Sequence, residues 1–132
     1  MAAIALDADV VIAFLDAADD QHEHAVNMLR PRLAAGEEIM VAASVYAEVM
    51  VRPLQRGADK AVDDFVDGIG GTIVALDRDT ARRAAQLRAS HRALRLPDAL
   101  SLATALVRGA EFLTLDRRLK KIAAGEQRTR AG

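Results

Sequence analysis

Three features of this 132-residue chain predict an α/β fold, a three-layer α/β/α sandwich around a central parallel, twisted sheet of four to five strands. Short apolar runs recur along the chain, and each is followed by residues with apolar positions at helical spacing. The strand and helix patterns alternate from one end to the other, the arrangement of a parallel sheet joined by right-handed crossovers. At Asp7 and Asp116 the apolar run ends directly in a carboxylate.

The first unit is Ala3-Ile4-Ala5-Leu6, a buried strand, followed by a helix with Val11, Phe14 and Leu15 on one side. Asp7 stands at the handover, where it either caps the helix or faces the crevice that borders the carboxyl ends of parallel strands. Asp19-Asp20 opens a second helix with Ala25, Met28, Leu29 and Leu33 inside, ended or kinked by Pro31. His22 and His24 lie two apart, do not share a helix face, and read as surface histidines. Ile39-Met40-Val41-Ala42 is the second strand, and Ser44 reads as the cap of a third helix carrying Val45, Val49 and Leu54. Glu48 lies at the border of that helix's apolar side, pointing either into a crevice or toward Arg52 one turn on.

An acidic helix follows from Ala58 to Val66, then the strand Thr72-Ile73-Val74-Ala75-Leu76. A long basic helix comes next, with Ala81, Ala84, Ala85 and Leu87 inside and Arg82, Arg83, Arg88 and Arg92 outside. In Leu96-Pro97-Asp98 the proline suits the first position of a helix, placing Asp98 in its first turn. A carboxylate there is favoured by the helix dipole with no further role needed. Glu111-Phe112-Leu113-Thr114-Leu115 is the last strand and leads into Asp116 and a short basic helix, Arg117 to Ile122. Residues 1–124 read as a single domain and 125–132 as a frayed polar tail.

Composition narrows the chemistry. There is no cysteine, which removes disulfides, thiolate nucleophiles and cysteine-bound zinc. The amino terminus lacks a basic region and a long apolar run, and no other segment is long and apolar enough to span a bilayer, so a soluble, cytoplasmic protein is expected. The net charge of −1 conceals a division: residues 1–77 hold 5 Lys and Arg against 14 Asp and Glu, and residues 78–132 hold 13 against 5. A basic half suits a polyanionic partner, because Arg and Lys release counterions on meeting phosphates. The aromatics are only Phe14, Tyr46, Phe65 and Phe112, too few for a module that stacks bases on aromatic platforms.

In the predicted architecture Asp7 and Asp116 end strands, while Glu48 and Asp98 lie near the starts of helices that follow strands. All four therefore reach one edge of the sheet. Clustered, buried carboxylates repel and would take up protons unless a cation compensates them. Oxygen-only ligands suit magnesium or manganese, which would activate water for hydrolysis of a phosphodiester.

Four segments carry a resemblance: Leu6-Asp7-Ala8-Asp9-Val10-Val11-Ile12, Ser44-Val45-Tyr46-Ala47-Glu48, Leu96-Pro97-Asp98-Ala99-Leu100-Ser101-Leu102-Ala103 and Phe112-Leu113-Thr114-Leu115-Asp116-Arg117. In this order and spacing the chain resembles PIN-domain ribonucleases, and in detail the VapC toxins of bacterial toxin–antitoxin pairs. The resemblance implies a PIN-like fold and an acidic site of Asp7, Glu48, Asp98 and Asp116 holding Mg2+ or Mn2+, with Asp7 and Asp98 as the most direct ligands. It also implies a supporting hydroxyl at Thr114, RNA as substrate, a homodimer, and inhibition by a cognate VapB-like antitoxin. Where the family often has Ser, Thr or Asn, this chain has Asp9, which would join the metal shell, add negative charge or cap the helix. Ser44 and Asp9 are further supporting positions, and Arg82, Arg83, Arg88, Arg92, Arg117 and Arg118 are candidate RNA contacts. Two alternatives stand beside this reading. One is a haloacid dehalogenase-like phosphatase using Asp7 and Asp9, for which Lys60, Lys120 and Lys121 are poorly placed; the other is a non-catalytic PIN-fold binding protein.

Overall fold

The computed structural model describes residues 2–131, with side chains through residue 129. In chain order the elements are β1 (Ala3–Leu6), α1 (Ala8–Leu15), α2 (His22–Ala34), β2 (Glu38–Ala42), α3 (Ala43–Arg56) and α4 (Asp59–Gly68). They continue with β3 (Thr72–Val74), α5 (Arg78–Ser90), α6 (Leu96–Arg108), β4 (Glu111–Leu113) and α7 (Arg117–Ala131). The sheet has four strands in the order β3-β2-β1-β4, and every pairing is parallel.

This order decides where the crevice opens. The chain moves outward from β1 through β2 to β3, then returns across the sheet to lay β4 on the other side of β1. Strand order therefore reverses between β1 and β4, and open α/β sheets bind ligands beyond the carboxyl ends of strands at such a switch point. Ala5 pairs with Phe112 and Leu6 with Leu113, so Asp7 and Thr114 leave the sheet side by side.

Alternation along the strands divides the core into two layers. Ile4, Leu6, Ile39, Val41 and Leu113 pack with α1, α2, α3 and α4 around Val11, Leu29, Val45 and Val62. Ala5, Met40 and Phe112 turn to the opposite face, against Ala84, Leu87, Leu102, Leu106 and Leu119 of α5, α6 and α7. The small residues of α6, Ala99, Ala103 and Ala105, are fully buried, which suits a helix lying close against the sheet and α5. Its end is set by Gly109, whose φ of +68° is a conformation that side-chain-bearing residues seldom adopt.

Several local expectations are corrected. Ser44 does not cap α3: the helix starts at Ala43, after Ala42, with no side-chain capping bond. Pro31 lies inside α2 rather than ending it. Pro31 is in the last turn of α2 on its exposed side, where water can serve the carbonyl it leaves without a partner. In α5 the buried residues are Thr80, Ala84 and Leu87, while Ala81 and Ala85 are exposed. His22 is half-buried rather than a free surface residue, its Nδ1 donating to the Ala13 carbonyl at 2.8 Å.

The expected tail departs furthest from the sequence reading. Helix α7 does not end at Ile122 but continues to Ala131. Residues from α5, its following turn and the α6–β4 turn hold the extension. Glu126 accepts from Arg83 at 2.7 Å and pairs with His91 at 3.3 Å, and the Gln127 amide donates to the Ala110 carbonyl at 3.1 Å. Gly132 lies outside the described residues.

Candidate active site

Asp7 is held through both its backbone and its carboxylate. Its backbone N–H donates to the Leu113 carbonyl at 2.9 Å, which carries the β1–β4 pairing one residue past the strands. Its carboxylate does cap α1, with Oδ1 accepting from the Ala8 N–H at 2.9 Å. The same oxygen accepts from Ser101 Oγ at 3.0 Å, and Oδ2 accepts from Thr114 Oγ1 at 2.8 Å. Capping and a place in the crevice are thus not alternatives here. At 7% exposure the group is buried, and every donor to it is neutral. Burial pushes its pKa up; the three hydrogen bonds pull it back, and the charge of Asp98 raises it further.

Asp9 lies one turn-position further along α1 and reaches across to the end of β4. It accepts from the Leu115 N–H at 3.1 Å and from Thr114 Oγ1 at 3.3 Å. Burial, with Asp7 as the next cause, pushes its pKa up to about 6. It is not the helix cap, since Asp7 fills that position; it ties α1 to the β4–α7 loop while adding negative charge beside Asp7.

Glu48 projects from α3 on an exposed stretch and forms no ion pair with Arg52 among the described residues. Partial burial raises its pKa, with the charges of Asp7 and Asp98 adding to the rise and Arg95 opposing it. Asp98, in the first turn of α6, receives Arg95 Nε at 3.4 Å. Asp7, Glu48 and Asp98 are therefore within electrostatic reach of one another, from three elements far apart in sequence.

Asp116 differs from these three. Its Oδ1 accepts from the Arg118 and Leu119 N–H groups at 2.9 and 3.0 Å, so it caps α7, which leaves its second oxygen for the crevice. It lines a cleft of ≈ 270 Å3 with Asp98, and on its other side a cleft of ≈ 320 Å3 with Asp9. Asp116 joins the site through shared walls rather than direct contact.

Two positions were not legible as site residues. Ser101 reads as an interruption of an apolar helix, yet it sits one turn after Asp98 on the inward side and holds Asp7. Arg95 precedes Asp98 by one turn and is the cation closest in effect to the acids. Of the expected RNA-contacting arginines, Arg83 is engaged by Glu126, and Arg88 donates from Nε to the Leu94 carbonyl at 3.1 Å. Arg82, Arg92, Arg117 and Arg118 are exposed. Ser44 is half-buried at the start of α3, and among the described residues it forms no side-chain hydrogen bond to the acids.

The donor set is all oxygen, with no Cys in the chain and no His against the acids, which suits a hard divalent cation. Among the described residues no three of these groups close into a cage. The buried charge of Asp7, met only by hydroxyl and amide donors, is the feature that fits added positive charge best.

A parallel α/β domain whose carboxylates converge at the switch point of its sheet belongs to the class of folds that place acidic chemistry at that edge. The sequence model of the PIN domain matches residues 4–125, and the chain belongs to the PIN domain family. Solved structures agree on the fold. The Mycobacterium tuberculosis VapC20 toxin, described as cleaving the sarcin–ricin loop, superposes with a TM-score of 0.71 at 20% identity over 90% of this chain and 94% of that one. A toxin–antitoxin complex from Klebsiella pneumoniae gives 0.68 at 23% identity over 87% of each chain. FitAcB from Neisseria gonorrhoeae gives 0.71 at 19% over 92% and 93%. No curated protein sequence matches the chain. Among the described residues no helix is long and apolar enough to cross a membrane.

Proposed function

We propose that this PIN domain is a divalent-cation-dependent endoribonuclease, the toxin of a type II toxin–antitoxin pair, held in check by a VapB-like antitoxin and assembled as a homodimer. The observation that carries the reading is the placement of Asp7, Glu48 and Asp98 near one another: burial raises the pKa of Asp7 and of Glu48, and the charge of Asp98 adds to the first rise and the charges of Asp7 and Asp98 to the second. The toxin and toxin–antitoxin structures that share the fold support it.

Asp7 and Asp98 would hold Mg2+ or Mn2+, with Glu48 and Asp116 lining the site. When bound, the cation would lower the pKa of water and offset charge developing on the phosphodiester. The protein's own part is positional. Ser101 and Thr114 fix both oxygens of Asp7, which caps α1, and Asp98 stands in the first turn of α6. Glu48, whose pKa is raised by partial burial and then by the charges of Asp7 and Asp98, would act as a proton acceptor at its carboxylate. A phosphoaspartyl mechanism fits poorly, because among the described residues no Lys lines the clefts beside the acids to meet a phosphate.

The test is cleavage of total cellular RNA by purified protein, with sequencing of the RNA ends and a chelator control. Asp7→Asn and Asp98→Asn are expected to abolish cation-dependent cleavage, by at least about 100-fold, with folding preserved. Full activity in either variant would refute the assignment.

A further inference from the structure

The acids alone cannot receive a polyanion, so the cations beside them should mark where its chain runs. Among the described residues, clefts open on three sides of the carboxylates. The one lined by Asp9, Asp19 and Asp116 carries no Lys or Arg. The apolar groove between α1, α3 and α4 holds Arg52 and Arg56 beside Glu48. The third, between the α5–α6 loop and the start of α7, combines Asp98 and Asp116 with Arg95 and Arg118 over a floor of Leu94, Leu119 and Ile122.

This third cleft has a braced wall. The Leu94 N–H donates to the His91 carbonyl at 2.9 Å, and the Leu94 carbonyl receives Arg88 Nε at 3.1 Å. The His91 ring pairs with Glu126, which also receives Arg83. Because Glu126 belongs to α7, the loop forming one side of the cleft is tied to the helix forming the other. The cations, by contrast, are only lightly engaged. Arg95 is 77% exposed and touches Asp98 through one long contact, leaving most of its guanidinium donors for another oxyanion.

Resting on the ribonuclease reading, we infer that this cleft seats the nucleotide next to the scissile phosphate. Its flanking phosphate lies between Arg95 and Arg118, and its base lies against the floor at Ile122. No aromatic side chain lines the cleft. The base is therefore held by aliphatic contact and by the flat face of a guanidinium, a known way of gripping unstacked bases. Arg95 passes from Asp98 to the incoming phosphate, which also releases the carboxylate to its other role. The Asp9 side, with acids and no cation, repels the strand, so the RNA leaves the site over α6 and α7.

The experiment measures binding of a labelled 12-nucleotide single-stranded RNA by fluorescence anisotropy in Mg2+, with the full chain carrying Asp7→Asn so that the RNA stays intact. Adding Arg95→Ala or Arg118→Ala is expected to weaken binding at least about fivefold at low salt. Each should also reduce the slope of log K against log salt by about 0.7, the contribution of one phosphate contact on a single strand. Arg30→Ala, which removes an equal charge on α2 outside the cleft, should do neither. An abasic linker placed at successive positions should weaken binding at one of them, and Ile122→Thr should erase that difference. Circular dichroism confirms folding of each variant.

Cleavage is read separately on the chain without Asp7→Asn. If that chain cuts RNA but Arg95→Ala and Arg118→Ala bind as the parent does, or no abasic position matters, the subsite is overturned and the ribonuclease reading stands. If it does not cut RNA while the arginine and abasic effects appear, the cleft is a nucleotide-binding site, and the ribonuclease reading falls together with the subsite's place beside a scissile phosphate. Absence of RNA binding by the parent overturns the subsite.

Discussion

Asp9→Asn should stabilise the protein, and the gain should depend on pH in a defined direction. Burial and the neighbouring Asp7 push the Asp9 pKa from 3.8 up to about 6. The folded chain thus binds that proton more tightly than the unfolded chain, so stability falls as pH rises from about 4 to about 6, and the penalty is fully present above that window. A rise of about two units corresponds to about 3 kcal/mol, which partial solvent exposure reduces to about 1–2 kcal/mol. The asparagine oxygen can still accept from the Leu115 N–H, so the tie to the β4–α7 loop survives the change. At about 4 °C per kcal/mol for a chain of this size, the variant should melt about 4–8 °C higher than the natural sequence at pH 7.5 in chelator. The difference should shrink toward zero at pH 4, where both carry a neutral group. Thermal unfolding followed by circular dichroism reads this directly. An unchanged or lower melting temperature at pH 7.5, or an equal gain at both pH values, would refute the claim that Asp9 is a carboxylate held at a cost.

Two other perturbations separate the scaffold from the site. Leu102 is fully buried in α6 against α5 and the sheet, and Leu102→Ala should cost about 3 kcal/mol, read as a lower urea midpoint with an unchanged m value. Arg32 joins Glu37 at 2.9 Å and Glu111 at 2.7 Å at the amino edge of the sheet, opposite the carboxylates. Arg32→Ala should lower stability by about 1 kcal/mol and leave RNA affinity unchanged; a loss of RNA binding there would place the substrate path on the wrong edge.

The alternation of strand and helix was legible because each apolar run in this chain is bounded by polar or glycine-rich residues and followed by a helical period. The positions of Asp7, Asp98 and Asp116 at the starts of helices were legible because the strand-to-helix boundaries around them are marked in the sequence. What stayed hidden is non-local. Ser101 reads as a neutral interruption of α6, and only the approach of α6 to β1 makes it a donor to Asp7. Residues 125–131 have the polarity of a tail, and the anchors that extend α7 come from His91, Arg83 and Ala110, distant in sequence. Arg83 was read as outward-facing, but Glu126 of α7 lies over it, because periodicity shows a helix's sides without showing what covers them. Ser44 has the chemistry of a cap, but the chain turns helical one residue too early to use it.

Thr114 has a single hydroxyl hydrogen and two anions within reach of it, Asp7 at 2.8 Å and Asp9 at 3.3 Å, while the Asp116 N–H at 3.2 Å pins its oxygen in place. Whichever carboxylate takes that hydrogen leaves the other facing a lone pair. Neutralising Asp7, by a cation or by substitution, therefore frees the hydroxyl to swing toward Asp9 and ease its ionisation. The two aspartates titrate as a linked pair, and the effects of changing them singly will not sum to the effect of changing both.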